Sequence, residues 1–89
     1  MSFYVVSHQV KDFAQWKKVY DAFESKRERA GIKEHYALQS VDDPNHVLVL
    51  GQGDLHAIKA FLKSEDLQEG MKNAGISSEP NVFVGDNIK

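Results

Sequence analysis

The chain has 89 residues, a net charge of −2 and no cysteine. This length predicts a single domain over residues 1–89, and folding alone buries only about 60–65% of the surface of so short a chain, which favours association with a partner. The missing cysteine excludes disulfides, thiolate catalysis and sulfur-ligated zinc, and no run of Lys or Arg is long enough to indicate a nucleic acid partner.

The N-terminal segment predicts neither a signal peptide nor a membrane span. It reads "MSFYVVSHQV" and lacks a basic stretch followed by a long apolar run. We therefore expect no membrane partner and a cytoplasmic location.

The first predicted strand covers residues 3–10, which are rich in β-branched and aromatic types and contain no strand breaker. Successive side chains of a strand point to opposite faces of the sheet. The more apolar of the two alternating sets is expected to lie under the helices, and its members are Tyr4, Val6, His8 and Val10.

A helix is predicted next, with Asp12 as its N-cap and Gly31 at its end. Apolar residues recur at steps of three and four as one stripe: Phe13, Trp16, Val19, Tyr20 and Phe23. Three cations lie in the last turn, where they suit the negative end of the helix dipole: Lys26, Arg27 and Arg29.

The second half of the chain repeats this plan, with a strand at 46–52, an N-cap at Asp54 and a second "AGI" at 74–76. The offset between the halves grows from 42 residues at Asp12 and Asp54 to 44 residues at the two glycines of "AGI". Two extra residues must therefore be absorbed in the second helix. Ser64, followed by two acidic residues, predicts a break there.

Strands at 34–41 and 81–85 complete the order βαββαβ. The predicted fold class is α+β, a ferredoxin-like fold with a four-stranded antiparallel sheet.

The two middle strands are apolar on both sides. If the turn between them has an even number of residues, the face under the helices holds Tyr36, Leu38, Ser40, Val47 and Val49. The other face then holds His35, Ala37, Gln39, Val41, His46, Leu48 and Leu50. Leu48 and Leu50 make that second face too apolar to be left in water, so we expect the same sheet of a second chain to cover it.

The succession of "HQVKDFAQW", "AGI", "DDPN" and a second "AGI" resembles the dimeric α/β-barrel superfamily, which includes antibiotic-biosynthesis-monooxygenase-like domains. The resemblance implies a homodimer that packs sheet against sheet and a pocket between sheet and helices for a small, often aromatic, ligand. Some members oxidise quinol-type substrates with oxygen and no cofactor, and others degrade heme. The heme-degrading members use a tryptophan late in the chain, whereas the only tryptophan here is Trp16, which argues against heme.

The candidate site contains His8 as a catalytic acid or base, with Trp16, Tyr20 and Tyr36 as ligand-binding pocket walls. The alternative interpretation is structural: His8 is a core-edge residue bonded to backbone, and the aromatic residues pack the core.

No metal site or cofactor is predicted. The four histidines, at positions 8, 35, 46 and 56, do not converge, and "GQGDL" at 51–55 lacks the further residues of a phosphate-binding loop. The leading hypothesis is a cofactor-independent monooxygenase-like or isomerase enzyme for a small aromatic or polyketide-like compound. The alternative is a non-catalytic ligand-binding or structural dimer module.

Overall fold

The computed structural model describes residues 1–76 and 79–89. Its elements are β1 Ser2–Gln9, α1 Phe13–Ala22, α2 Glu24–Arg29, β2 Lys33–Gln39, β3 His46–Gly53, α3 Leu55–Lys63, α4 Glu65–Asn73 and β4 Asn81–Asp86. The strands form an antiparallel sheet in the order β2-β3-β1-β4. This confirms the predicted ferredoxin-like fold class, with each helical connection divided into two helices.

The predicted helix starts are confirmed by the side chains that cap them. Asp12 accepts a hydrogen bond from the backbone N–H of Ala14 at 3.0 Å, and Asp54 accepts one from that of His56 at 3.1 Å. Each bond satisfies one of the N–H groups that the first turn of a helix leaves without an internal partner.

The predicted break in the second helix is confirmed at Ser64, which is extended and accepts from the backbone N–H of Leu67 at 3.1 Å. The first helix is also broken, contrary to the prediction of one helix up to Gly31. Phe23 separates α1 from α2, and its N–H lies 3.2 Å from the carbonyl oxygens of both Val19 and Tyr20. This shared bond marks the tightened end of a helix.

The alternation of β1 is confirmed by burial. Tyr4, Val6, His8 and Val10 are buried, and the residues between them are partly exposed. Tyr4, Val47 of β3 and Ile58 of α3 are the largest fully buried side chains, so the core lies between the sheet and the helices.

The predicted faces of β2 are wrong. Tyr36 pairs with Leu50 and Leu38 with Leu48, and directly paired residues share a face. The turn length explains the error, because an odd number of residues separates the paired Gln39 and Val47. A β-bulge at His35 then interrupts the alternation, so that Glu34 faces the helices. Tyr36 and Leu38 therefore lie on the side away from the helices. This side is called the outer face, and its apolar residues are Phe3, Val5, Tyr36, Leu38, Leu48, Leu50 and Phe83.

Within residues 1–76 and 79–89, none of the helices combines the length and the apolar character needed to cross a bilayer.

Candidate functional site

A cavity of about 190 Å³ lies between the sheet and the helices. β1 contributes Tyr4, Val6 and His8 to its lining, and α1 contributes Trp16 and Tyr20. These residues meet because the buried face of β1 and the apolar stripe of α1 point at each other. The cavity is lined mainly by aromatic and aliphatic side chains, which is typical of a site for a small organic molecule.

One side of the cavity is an aromatic wall formed by Trp16 and Tyr20. Their rings stack with centroids 5.0 Å apart and an angle of 23° between the planes. His8 meets Trp16 from the sheet side, edge-on, with ring centroids 6.2 Å apart. A flat ligand in the cavity would have an aromatic surface on one side and an imidazole within reach.

His8 is 6% exposed, and neither ring nitrogen has a hydrogen-bond partner within residues 1–76 and 79–89. Burial, and secondarily the charge of His46, lowers the pKa of His8 below 6.5. The imidazole is therefore neutral at pH 7, with one nitrogen able to accept a proton. The alternative interpretation, in which His8 is bonded to backbone, is not observed in the described part of the chain.

A polar cluster of Tyr4, Arg27 and Glu34 forms another part of the lining. The Tyr4 hydroxyl donates a hydrogen bond to Glu34 Oε2. Arg27 Nε lies 3.2 Å from Glu34 Oε1, as an ion pair whose geometry is not that of a hydrogen bond. Both charged side chains are almost fully buried, so each charge depends on the other for compensation.

Burial raises the pKa of both cavity tyrosines. For Tyr4 the burial effect is reinforced by the negative charge of Glu34, and for Tyr20 by a hydrogen bond with Glu34. Both phenols therefore remain protonated near neutral pH and act as hydrogen-bond donors.

The structure brings together three of the four residues predicted for the site: His8, Trp16 and Tyr20. Tyr36 is a correction, since it is 62% exposed on the outer face and is not part of the cavity lining. The odd number of residues in the turn to β3 places it there.

Arg27 and Glu34 line the cavity but were not predicted as site residues. Arg27 matched the pattern of a cation at a helix end, and the two residues meet only when α2 packs beside β2. The sequence carried one weak signal for this pair. Arg27 and Glu34 have opposite charges and lie on either side of the helix end at Gly31.

Residues 1–76 and 79–89 contain no group of three or more His, Asp or Glu side chains placed to hold a metal ion. His35, His46 and His56 are exposed.

The fold and the cavity define a small α+β protein with a ferredoxin-like fold and an apolar pocket between its sheet and its helices. The chain belongs to the family described as a domain of unknown function, DUF3764, whose profile matches residues 2–83. No curated protein matches the sequence.

Solved structures confirm the resemblance in fold. A protein from Nitrosomonas europaea, described as a candidate antibiotic biosynthesis monooxygenase, is 15% identical with a TM-score of 0.79, and the match covers 100% of both chains. A protein from Bordetella bronchiseptica with the same description is 20% identical with a TM-score of 0.73, over 99% of this chain and 97% of that one. SnoaB, a cofactor-independent oxygenase from Streptomyces nogalater, is 21% identical with a TM-score of 0.70, over 92% and 89% of the two chains.

Proposed function

We propose that the protein is a homodimer whose protomers each bind a small aromatic or polyketide-like molecule in the cavity and oxidise it with O2, without a cofactor. The observation that carries this proposal is His8: a neutral, buried imidazole without a partner in the described chain, on an apolar cavity and beside Trp16. The fold shared with a cofactor-independent oxygenase supports the same chemistry.

In the proposed reaction, His8 removes a proton from an acidic C–H or O–H group of the ligand. The resulting anion supplies the electrons that reduce O2. With anthrone as substrate, one oxygen atom converts the methylene group into the carbonyl of anthraquinone, and the other leaves as water with the two methylene hydrogens. The lowered pKa of His8 keeps its basic form populated at neutral pH.

The aromatic wall bounds one side of the ligand, and the Tyr20 ring is itself packed between Trp16 and Arg27. Tyr4 and Tyr20, protonated at neutral pH, share Glu34 as a hydrogen-bond partner, which holds both rings in the cavity lining. The aliphatic lining keeps water from the anion, so that it reacts with O2 rather than being reprotonated by solvent.

The proposed dimer covers the outer face. Tyr36 is 62% exposed there, Leu38 52% and Phe83 70%. An apolar surface of this kind usually marks an interaction site. Sheet-to-sheet packing of two identical chains would bury these three residues in both chains, because a two-fold interface uses the same surface on each subunit.

The test is oxygen uptake with anthrone in buffer that contains no added cofactor. We expect wild-type protein to consume one O2 for each anthraquinone formed and His8→Gln to lose activity by about 100-fold or more, which is typical of a lost general base. His56→Gln, a change at an exposed histidine of α3, is the matched control and should keep full activity. Equal rates for wild type and His8→Gln would contradict the proposed role of His8.

A second candidate is a ligand-binding module without catalysis. It is favoured by the missing partner on His8, because a catalytic imidazole is usually oriented by a hydrogen bond on its second nitrogen. Binding of 2-naphthol, followed through the fluorescence of Trp16 and accompanied by no turnover of anthrone, would support this candidate over the oxygenase.

A further inference from the structure

We infer that Arg27 is a positioning residue that holds the aromatic wall of the cavity in place against the sheet. The inference rests on the proposed function only in taking this cavity as the ligand site. It assigns Arg27 a role that depends on three contacts made by one guanidinium group.

The first contact lies at the C-terminal end of α1. Arg27 Nη1 donates a hydrogen bond to the backbone carbonyl of Tyr20 at 2.9 Å. That carbonyl belongs to the last turn of α1, whose carbonyl groups have few partners within the helix. Arg27 therefore fixes the end of the helix that carries the wall, at the point where Phe23 separates α1 from α2.

The second contact is with the ring of Tyr20. The guanidinium carbon of Arg27 lies 4.1 Å from the centroid of that ring, within the range of a cation–π interaction. Tyr20 is thus held between Arg27 and Trp16, whose ring centroid lies 5.0 Å away. Its ring cannot rotate without losing one of these two neighbours.

The third contact joins Arg27 to the sheet. Nε faces Glu34 Oε1 at 3.2 Å, and the other oxygen of Glu34 accepts from the hydroxyl of Tyr4 on β1. A continuous series of contacts therefore runs from β1 through Glu34 and Arg27 to Tyr20 and Trp16. Together with the hydrogen bond between Tyr20 and Glu34, this series sets the distance between the wall and the strand that carries His8.

A lysine cannot make the same three contacts. Its ammonium group is a single point of charge, whereas the planar guanidinium donates in several directions and stacks on a ring at the same time. Arg27→Lys keeps the charge that Glu34 needs but removes the stacking and at least one donor. It therefore separates positioning of the wall from simple charge compensation.

The experiment uses Arg27→Lys, with Arg29→Lys as the matched control, since Arg29 lies on the same helix and is exposed. In folded protein without ligand, we expect Arg27→Lys to shift the emission of Trp16 to longer wavelength and to increase its quenching by acrylamide. Trp16 is the only tryptophan, so both signals report on the wall. Affinity for 2-naphthol, measured by calorimetry, should fall roughly tenfold. Arg29→Lys should change none of these quantities.

A folded Arg27→Lys variant with unchanged Trp16 emission, quenching and 2-naphthol affinity would overturn the inference, even if its Tm is lower, because a purely structural role also lowers Tm. If the wild-type protein does not bind 2-naphthol, the proposal that this cavity is a site for such ligands is contradicted. The emission and quenching of Trp16 need no ligand, so they still decide the role of Arg27.

If Arg27→Lys does not fold, proton NMR of the wild type decides. Positioning requires that the Nε proton of Arg27 exchange with water more slowly than that of Arg29 and that the Tyr20 ring shift the Arg27 side-chain protons upfield. Equal exchange rates, or the absence of that shift, would overturn the inference.

Discussion

Gly51→Ala should destabilise the protein by displacing Tyr4. A Cβ at Gly51 would lie 2.5 Å from the hydroxyl oxygen of Tyr4 and closer still to its ring, well inside van der Waals contact. Tyr4 is 1% exposed and its hydroxyl donates to Glu34, so the ring can move only toward the cavity that it lines, away from this partner. The variant must therefore both strain the packing around Tyr4 and break the Tyr4–Glu34 hydrogen bond.

The magnitude follows from three contributions. Overpacking a filled core costs about 1–3 kcal/mol. Loss of a buried hydrogen bond to a charged group costs about 1.5–3 kcal/mol. Replacing glycine by alanine within a strand gains about 0.5–1 kcal/mol. The free energy of unfolding should fall by roughly 2–5 kcal/mol, since the two costs exceed the gain. This corresponds to a decrease in Tm on the order of 10–30 °C for a chain of this size.

Urea denaturation followed by circular dichroism measures the change, with all variants at one protein concentration because association would add to the apparent stability. Gly85→Ala is the matched control. A Cβ at Gly85 would lie 2.8 Å from the ring of Phe83, but that ring is exposed on the outer face and can move aside. At a protein concentration low enough for the monomer to predominate, where Phe83 is not covered by a partner, its stability should stay within about 0.5 kcal/mol of wild type. A Gly51→Ala variant that loses less than about 1 kcal/mol would refute the reasoning that Tyr4 is fixed.

Three further predictions concern His8 and the outer face. His8→Leu should raise the free energy of unfolding by about 1 kcal/mol, because it removes a buried polar group without a partner in the described chain. The same variant should abolish anthrone oxidation. A loss of stability in thermal melts would show instead that His8 makes a stabilising bond. Because burial lowers the folded-state pKa of His8 below 6.5, the unfolded chain takes up the proton first, so stability should decrease as pH falls from 6.5 to the folded-state pKa. Urea melts at a series of pH values should show that this part of the decrease is missing in His8→Leu. Leu50→Lys should convert the dimer into a monomer or unfold the protein, since it places a charge in the proposed interface. Sedimentation equilibrium measures the mass, and a wild-type mass of one chain would disprove the dimer.

Local signals in the sequence were sufficient to predict the order of the elements. Asp12, Asp54 and Ser64 act through their own side chains on N–H groups two or three residues away, so their roles can be identified from short stretches. The break at Phe23 was not predicted because the apolar stripe continues through it without interruption, and the bond from Arg27 to the carbonyl of Tyr20 leaves no sign in that pattern.

The candidate site was predicted only in part, for a related reason. His8, Trp16 and Tyr20 follow from regular alternation and helical spacing, and these periods hold over β1 and α1. The polar cluster joins three separate elements, and alternation along a single strand carries no information about such a contact. Tyr36 was misplaced because the length of the turn between β2 and β3, which the apolar pattern does not reveal, decides which way Tyr36 and Leu38 face.

The bulge at His35 also bears on how the length of this chain can change during evolution. With His35 as the extra residue, Glu34 pairs with Gly51 and Tyr36 with the adjacent Leu50. Deleting His35 would leave both pairings intact in an uninterrupted ladder and would remove only an exposed side chain and its 2.8 Å contact with Gln52. A one-residue deletion elsewhere in β2 would instead exchange the two sides of the strand. A relative that is one residue shorter here should therefore carry its gap at His35, and an alignment that places the gap two positions later would match outward-facing residues with inward-facing ones.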